Sequence, residues 1–152
     1  TGFLQVEETY LARLTHRYRE GDQERFVVGG LSLNHLLGRR LVDPADDPLA
    51  AGGYSTKAGP ADDILVSYAN EQAGASASAL RRFPGFTVAA STSVGSPAGR
   101  RLRYENLLEV MQDVCNQSNV DFQVYRLTSN SLRLVSSDDR NCRCSAMCGT
   151  TN

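Results

Sequence analysis

The chain has 152 residues, of which 41% are hydrophobic and 22% are charged, and its formal net charge is −1 at pH 7. These values predict one globular domain with its own core and exclude disorder of the chain as a whole. They also argue against the basic field that drives non-specific nucleic-acid binding. No apolar run is long enough to cross a bilayer, and the first residues lack the pattern of a signal peptide.

The N-terminal segment predicts a β-hairpin. Residues 3–28 are rich in β-forming residues, and positions 10–18 alternate between a more apolar and a more polar face. Leu11, Leu14 and Tyr18 would also suit one face of a helix. Gly21-Asp22 is a turn signal, and residues 25–28 then favour a returning strand. Ser32 can cap a short helix that Gly38 ends.

The middle of the chain predicts a loop followed by a helix. Proline and glycine punctuate residues 43–60, which indicates a loop. Pro60 is suited to the start of a helix, where Asp62 and Asp63 would favour the positive N-terminal end. Apolar residues then recur at helical spacing as far as Gly74.

The C-terminal half predicts a short strand at 86–88, a strand or loop around 101–103 after a Ser/Gly/Pro-rich stretch at 91–100, a helix over 107–115 and a hairpin over 120–135. The fold class is therefore α+β: a small mixed domain with antiparallel strands, two amphipathic helices and a C-terminal hairpin. We expect a single domain over 1–137 and a cysteine-rich tail over 138–152. The predicted core comprises Leu36, Leu37, Ile64, Leu65, Tyr68, Leu107, Leu108, Met111, Phe122 and Val124.

No residue pattern indicates catalysis. The two histidines, His16 and His35, occupy positions typical of structural residues. The nucleophile motif G-x-S-x-G, the zinc motif HExxH and a phosphate-binding glycine loop are all missing from the sequence. The acidic pairs Asp62-Asp63 and Asp138-Asp139 are better explained as helix-end and turn charges, because adjacent side chains diverge. We expect a protein that is not an enzyme and uses no cofactor.

The cysteines leave two interpretations open. Cys142, Cys144 and Cys148 crowd the tail, and with Cys115 they supply four thiols, enough for an all-cysteine zinc site. The usual C-x2-C spacing is missing, which favours free thiols or one local disulfide. We therefore expect the domain to fold without metal.

Clusters of opposite charge suggest subunit contacts. The basic cluster comprises Arg81, Arg82, Arg100, Arg101 and Arg103, and the acidic loop supplies Asp43, Asp46 and Asp47. The guanidinium group pairs bidentately with carboxylates, so head-to-tail contacts between these segments could close a ring. We expect a cyclic homo-oligomer, with a trimer as the favoured number. The alternative is that both segments are simply solvated.

Four landmarks, taken in order, resemble a known family. They are Gly30-Leu31-Ser32-Leu33 with Leu36-Leu37-Gly38-Arg39-Arg40-Leu41-Val42, Thr56-Lys57-Ala58-Gly59-Pro60-Ala61, Asn106-Leu107-Leu108-Glu109-Val110 and Val120-Asp121-Phe122-Gln123-Val124. Over roughly residues 25–135 this succession is similar to the siphophage tail hub family, the baseplate or tail-associated proteins of long-tailed phages. The cysteine-rich tail departs from the family's pattern, and family members are generally longer on both sides.

The resemblance implies a structural virion protein in the phage tail. Such hubs have β-barrel-like modules with smaller α+β insertions, and they assemble as a ring, often a trimer, with other tail proteins. It implies neither a membrane span nor specific nucleic-acid binding. Two alternatives remain: a non-viral α+β adaptor that binds through its arginine-rich surface, and a small zinc module built on the four cysteines.

Overall fold

The computed structural model describes residues 10–21, 23–128 and 130–138. Its first unit is the predicted hairpin, in which β1 (Tyr10–Glu20) pairs antiparallel with β2 (Gln23–Ser32). Gly21, with φ +62°, begins the turn, a conformation that glycine adopts at no steric cost. The register shifts once between Ala12 and Leu14. The predicted helix after Ser32 is present as a 3-10 helix, Leu33–Arg39.

A second antiparallel ribbon lies partly where the sequence predicted a loop. β3 (Ser55–Pro60) pairs with β5 (Pro97–Leu102), with Lys57 opposite Arg100. The expectation of a loop over 43–60 was therefore wrong for 55–60, and the Ser/Gly/Pro-rich stretch over 91–100 contributes the first residues of β5. The prolines Pro60 and Pro97 face each other at the end of this ribbon, where proline is tolerated but resembles a loop signal.

Both predicted helices form. Helix α1 (Ala61–Gln72) begins directly after Pro60 and carries Asp62 and Asp63 in its first turn, as expected. Helix α2 (Leu107–Ser118) is capped by Asn106, whose side-chain oxygen accepts hydrogen bonds from the amides of Leu108 at 3.0 Å and Glu109 at 3.4 Å. It extends three residues beyond the predicted end at 115.

A three-stranded sheet closes the fold. β6 (Val120–Thr128) and β7 (Ser131–Asp138) form the predicted antiparallel hairpin. β4 (Phe86–Val88) pairs with β7 in parallel, which gives the strand order β4-β7-β6. The sequence predicted the short strand but not its parallel pairing. The whole is α+β, as expected.

The core is one cluster between α1, α2, the 3-10 helix and the three-stranded sheet. Eight of the ten predicted core residues are buried in it. Leu36 and Leu108 are only half-buried and pack against its edge, which corrects the prediction for these two. Leu33, Val42, Val110, Val114 and Leu134 are buried members that the prediction omitted. The predicted boundary at 137–138 falls at the end of the described residues, and the tail 139–152 lies outside them.

Candidate functional site

The hairpin β1–β2, called the arm below, projects from the body. Every side chain described between His16 and Val27 is exposed. Among the described residues, the arm makes more than isolated contacts only with the 3-10 helix that directly follows it. Phe26 is 66% exposed, and Val27 and Tyr18 are also exposed. Within the described part of the chain, the arm therefore presents apolar surface and two unpaired strand edges.

Ion pairs link the two strands of the arm. Arg17 lies 2.6 Å from Glu24, and Arg25 lies 2.7 Å from Glu20. His16 stacks on Tyr18 of the same strand, with ring centroids 5.6 Å apart. Such exposed ion pairs each contribute at most about 1 kcal/mol. His16 is thus a surface residue of the arm.

Three of the five predicted interface arginines lie on or just after β5. The Arg101 guanidinium is 4.2 Å from the centre of the Tyr54 ring, and Arg103 lies 5.8 Å from that ring and 5.3 Å from the ring of Tyr104. Arg100 donates to Gln117 at 2.5 Å. Arg101 and Arg103 are exposed and Arg100 is half-buried, and neither Arg101 nor Arg103 has a carboxylate partner among the described residues. This face can pair with an acidic surface.

The other two predicted interface arginines have partners within the chain. The Arg81 guanidinium lies 2.6 Å from the Asp43 carboxylate and 3.2 Å from that of Asp46. Arg82 donates to the carbonyl oxygens of Ala75 at 2.6 Å and Ala77 at 3.1 Å. The predicted basic and acidic segments thus meet at Arg81, but inside one protomer.

The third acidic residue of the loop, Asp47, belongs to a buried charge cluster around Lys57. The Lys57 ammonium lies 2.9 Å from Asp47 and 2.7 Å from Glu71. The Lys57 side chain is 10% exposed, that of Glu71 is 11% exposed and that of Asp47 is fully buried. Ser55 and the Leu49 amide donate further hydrogen bonds to Asp47. The cluster ties the acidic loop to β3 and α1.

The two carboxyl groups of this cluster are shifted in opposite directions. Burial raises the pKa of Glu71, and the hydrogen bond and charge of Lys57 offset this only in part. Burial also acts to raise the pKa of Asp47, but hydrogen bonds from Ser55, Lys57 and Leu49 outweigh it, so that the Asp47 pKa is lowered. Burial raises the pKa of the neighbouring Tyr68 to about 12.

The acidic pair at the start of α1 holds the loop over 91–93. The fully buried Asp62 accepts from the Thr92 amide at 2.6 Å and from the hydroxyl of Ser136. Asp63 accepts from the hydroxyl of Ser91 at 2.5 Å and from that of Ser93. The two carboxylates diverge, as expected, but they serve as loop anchors in addition to their place at the helix end.

The remaining candidates are less informative. His35 is half-buried on the 3-10 helix, and Cys115 is half-buried at the edge of the core. Within residues 10–21, 23–128 and 130–138, no group of three or more histidine, cysteine or acidic side chains could hold a metal ion. Cys142, Cys144 and Cys148 lie outside the described residues, so the zinc alternative that involves them stays a hypothesis, and Asp139 also lies outside them.

Sequence reasoning missed several surface residues. For Phe26 and Val27 the sequence predicts a returning strand but not its exposure. The signal that could have indicated an exposed arm is the pairing of this short apolar strand with a strongly charged one. The aromatic partners Tyr54 and Tyr104 come from a loop and from a residue with φ +61°, and no periodicity marks them. Lys57, the only lysine of the chain, was the one signal that could have indicated the buried cluster.

Fold and surface together define a small α+β protein with a projecting hairpin arm and an arginine-rich face. The chain belongs to the family described as Siphovirus ReqiPepy6 Gp37-like protein, whose model matches residues 5–146. This membership places it among siphovirus proteins, confirms the predicted resemblance at that level and suggests a virion-associated location. Comparisons with curated proteins and with solved structures returned no match.

None of the helices in the described part of the chain is both long and apolar enough to cross a membrane.

Proposed function

We propose that the chain is a structural component of a siphovirus tail tip or baseplate, of the hub or tail-associated kind, that acts through subunit assembly and not as an enzyme. Family membership supports the phage origin. The observation that carries the assembly role is the arm, whose exposed apolar residues lie outside the core. The non-viral adaptor alternative loses support, because the family is a siphovirus family.

A two-stranded ribbon is marginally stable in water, and its unpaired strand edges invite pairing with another chain. Strands of 10 and 11 residues extend about 33 Å at 3.3 Å per residue. Such an arm gains most stability when a neighbouring subunit covers it. Phe26 and Val27 are adjacent and lie on opposite faces of the ribbon, so docking can bury one on each face, and strand pairing satisfies an edge.

The proposed partner of the arm is a second copy of the chain, in a closed ring for which a trimer is the favoured number. Other tail proteins would contact the remaining surface. The arginine face at Arg101 and Arg103 is available for such contacts, whereas Arg81, Asp43 and Asp46 already pair with one another. The ring contact first predicted between the arginine cluster and the acidic loop is therefore proposed for the β5 arginines only.

The test measures the mass of the full chain in solution over a range of concentrations. We expect a cyclic oligomer, and we expect Phe26→Ser/Val27→Ser to shift it towards monomer. Leu80→Ser is the matched control, because Leu80 is 98% exposed and lies outside the arm. A wild-type monomer at every concentration, or equal behaviour of the arm variant and the control, would contradict assembly through the arm.

The tail location needs a separate measurement. Antibodies against the chain, applied to particles of the siphovirus that encodes it, should label the tail tip in electron micrographs. Labelling of the capsid, or of no part of the particle, would contradict the proposed location.

A chain that stays monomeric yet binds one other protein tightly would instead support the adaptor class.

A further inference from the structure

A small basic pocket lies beside the acidic loop. It has a volume of about 240 Å³ and is lined by Arg39, Arg40, Leu41, Asp43, Arg81 and Tyr104. Three guanidinium groups thus face one carboxylate. Two of the three arginines, Arg39 and Arg40, were not among the predicted interface residues.

The three arginines differ in how far their donors are used. Both terminal nitrogens of Arg81 are engaged: Nη1 by the carboxylates of Asp43 and Asp46, and Nη2 by the side chain of Gln72 at 3.0 Å and the carbonyl oxygen of Leu41. Arg81 therefore contributes charge to the pocket but has little capacity for a new ligand.

Arg40 has unused donors. Its guanidinium stacks 4.0 Å from the centre of the Phe83 ring, and its Nη1 makes one long hydrogen bond, 3.4 Å, to the carbonyl oxygen of Arg39. Its Nε is buried and has no partner, and no described residue accepts a hydrogen bond from its Nη2. An unpaired buried donor is costly, and a bound acceptor removes that cost.

The positive charges around Arg40 also exceed the negative charge of the one carboxylate in the pocket lining. Burial lowers the pKa of Arg40, and the positive charges of Arg81 and Arg39 lower it further. Arg39 is exposed and has no ion-pair partner among the described residues. A negatively charged group in the pocket would stabilise both arginines.

We propose that this pocket binds a side-chain carboxylate presented by an acidic segment of a second copy of the chain. The guanidinium edge matches a carboxylate bidentately. Asp43 in the lining disfavours a doubly charged phosphate, and the exposed side chains of Leu41 and Tyr104 can pack against the methylene groups of a glutamate. Carboxylate binding by the pocket is inferred from the residues that line it. Only the identification of a second copy as the source of the carboxylate rests on the proposed assembly function.

The acidic segment proposed as the source lies on α2. Glu109 and Asp113 are exposed, are four residues apart on the helix and therefore share a face, and have no ion-pair partner among the described residues. The acidic loop cannot serve, because Asp43, Asp46 and Asp47 are already paired within the protomer.

The first experiment tests the pocket on the full chain with a blocked triglutamate peptide, observed by calorimetry and by the NMR signal of the Arg40 Nε–H group. We expect binding that shifts this signal. Arg39→Gln should weaken triglutamate binding roughly two- to fivefold, as for an exposed charge pair. Arg40→Gln should weaken it roughly tenfold or more. Arg133→Gln, which removes an exposed arginine on β7, is the matched control.

Three results would contradict the proposal that the pocket binds a carboxylate: no binding of triglutamate, equal binding of a blocked triglutamine peptide, or tighter binding of inorganic phosphate. Equal effects of Arg39→Gln and Arg133→Gln would overturn it as well. Because the Arg39 side chain is exposed and makes no hydrogen bond or ion pair among the described residues, its substitution tests the pocket even if Arg40→Gln disturbs folding.

The second experiment tests whether a second copy supplies the carboxylate. It measures the mass of the full chain in solution at several salt concentrations. Glu109→Gln/Asp113→Asn and Arg39→Gln should weaken self-association to similar extents, whereas Arg133→Gln should not. A wild-type monomer, or unchanged association of the α2 variant, would overturn the second copy as the source. The peptide experiment distinguishes this outcome from failure of the pocket, and the arm variant distinguishes it from failure of the assembly role.

Discussion

Replacing Lys57 by methionine tests the buried charge cluster. Methionine keeps most of the length and apolar bulk of the side chain but removes the ammonium group that lies 2.9 Å from Asp47 and 2.7 Å from Glu71. Two carboxylates would then stay buried without a counter-charge. Removing one partner from a buried ion pair costs about 3–5 kcal/mol. That is a large part of the roughly 5–15 kcal/mol that stabilises a typical domain.

The assay is urea unfolding followed by circular dichroism, with a thermal melt as a second measure. For a chain of this size the loss corresponds to a fall in Tm of about 6–20 °C, at roughly 2–4 °C per kcal/mol. Lys57→Met/Glu71→Gln should regain about 0.5–3 kcal/mol of that loss, since it also removes one of the unpaired charges.

The same variant has a characteristic pH dependence. Without Lys57, the pKa of Glu71, which burial already raises, rises further, and the pKa of Asp47 rises from its lowered value, because the hydrogen bond and charge of Lys57 lower both. A raised carboxyl pKa destabilises the folded state at pH values above it and has no effect below the unfolded pKa. The difference between wild type and variant should therefore shrink as the pH falls from 7 towards about 4.

Arg133→Met is the control, since Arg133 is exposed and its loss should change stability by less than about 0.5 kcal/mol. A loss below about 1 kcal/mol in Lys57→Met, independent of pH, would show that the carboxylates are solvated and that the cluster does not hold the loop.

Two further predictions concern the core and the cysteines. Leu107→Ala should lower the free energy of unfolding in urea by about 2–5 kcal/mol, because Leu107 is fully buried. Leu108→Ala should lower it by less, because Leu108 is half-buried. The reverse order would contradict the packing of α2. A chelator should leave the circular dichroism spectrum and the melting curve unchanged. Loss of the fold with release of one equivalent of zinc would instead favour the zinc module.

The sequence by itself determined the elements whose signals are local. Helix α2 was predictable because Leu107, Met111 and Val114 repeat on one face, and β6 was predictable because Val120, Phe122 and Val124 alternate. Proline at the start of α1 and glycine in the turn of the arm act through the backbone dihedral angles of their own residues. The four landmarks also led to the siphophage resemblance, which the family match confirmed.

Only the tertiary structure decided the contacts between distant segments. The ribbon β3–β5 brings Thr56 opposite Arg101, and the ion pairs of Arg81 reach residues far earlier in the chain. No periodicity specifies such partners, because they depend on how the loops close. The exposure of Phe26 is of the same kind: alternation shows which residues share a face of a strand, but what covers that face is set by the packing of the rest of the chain.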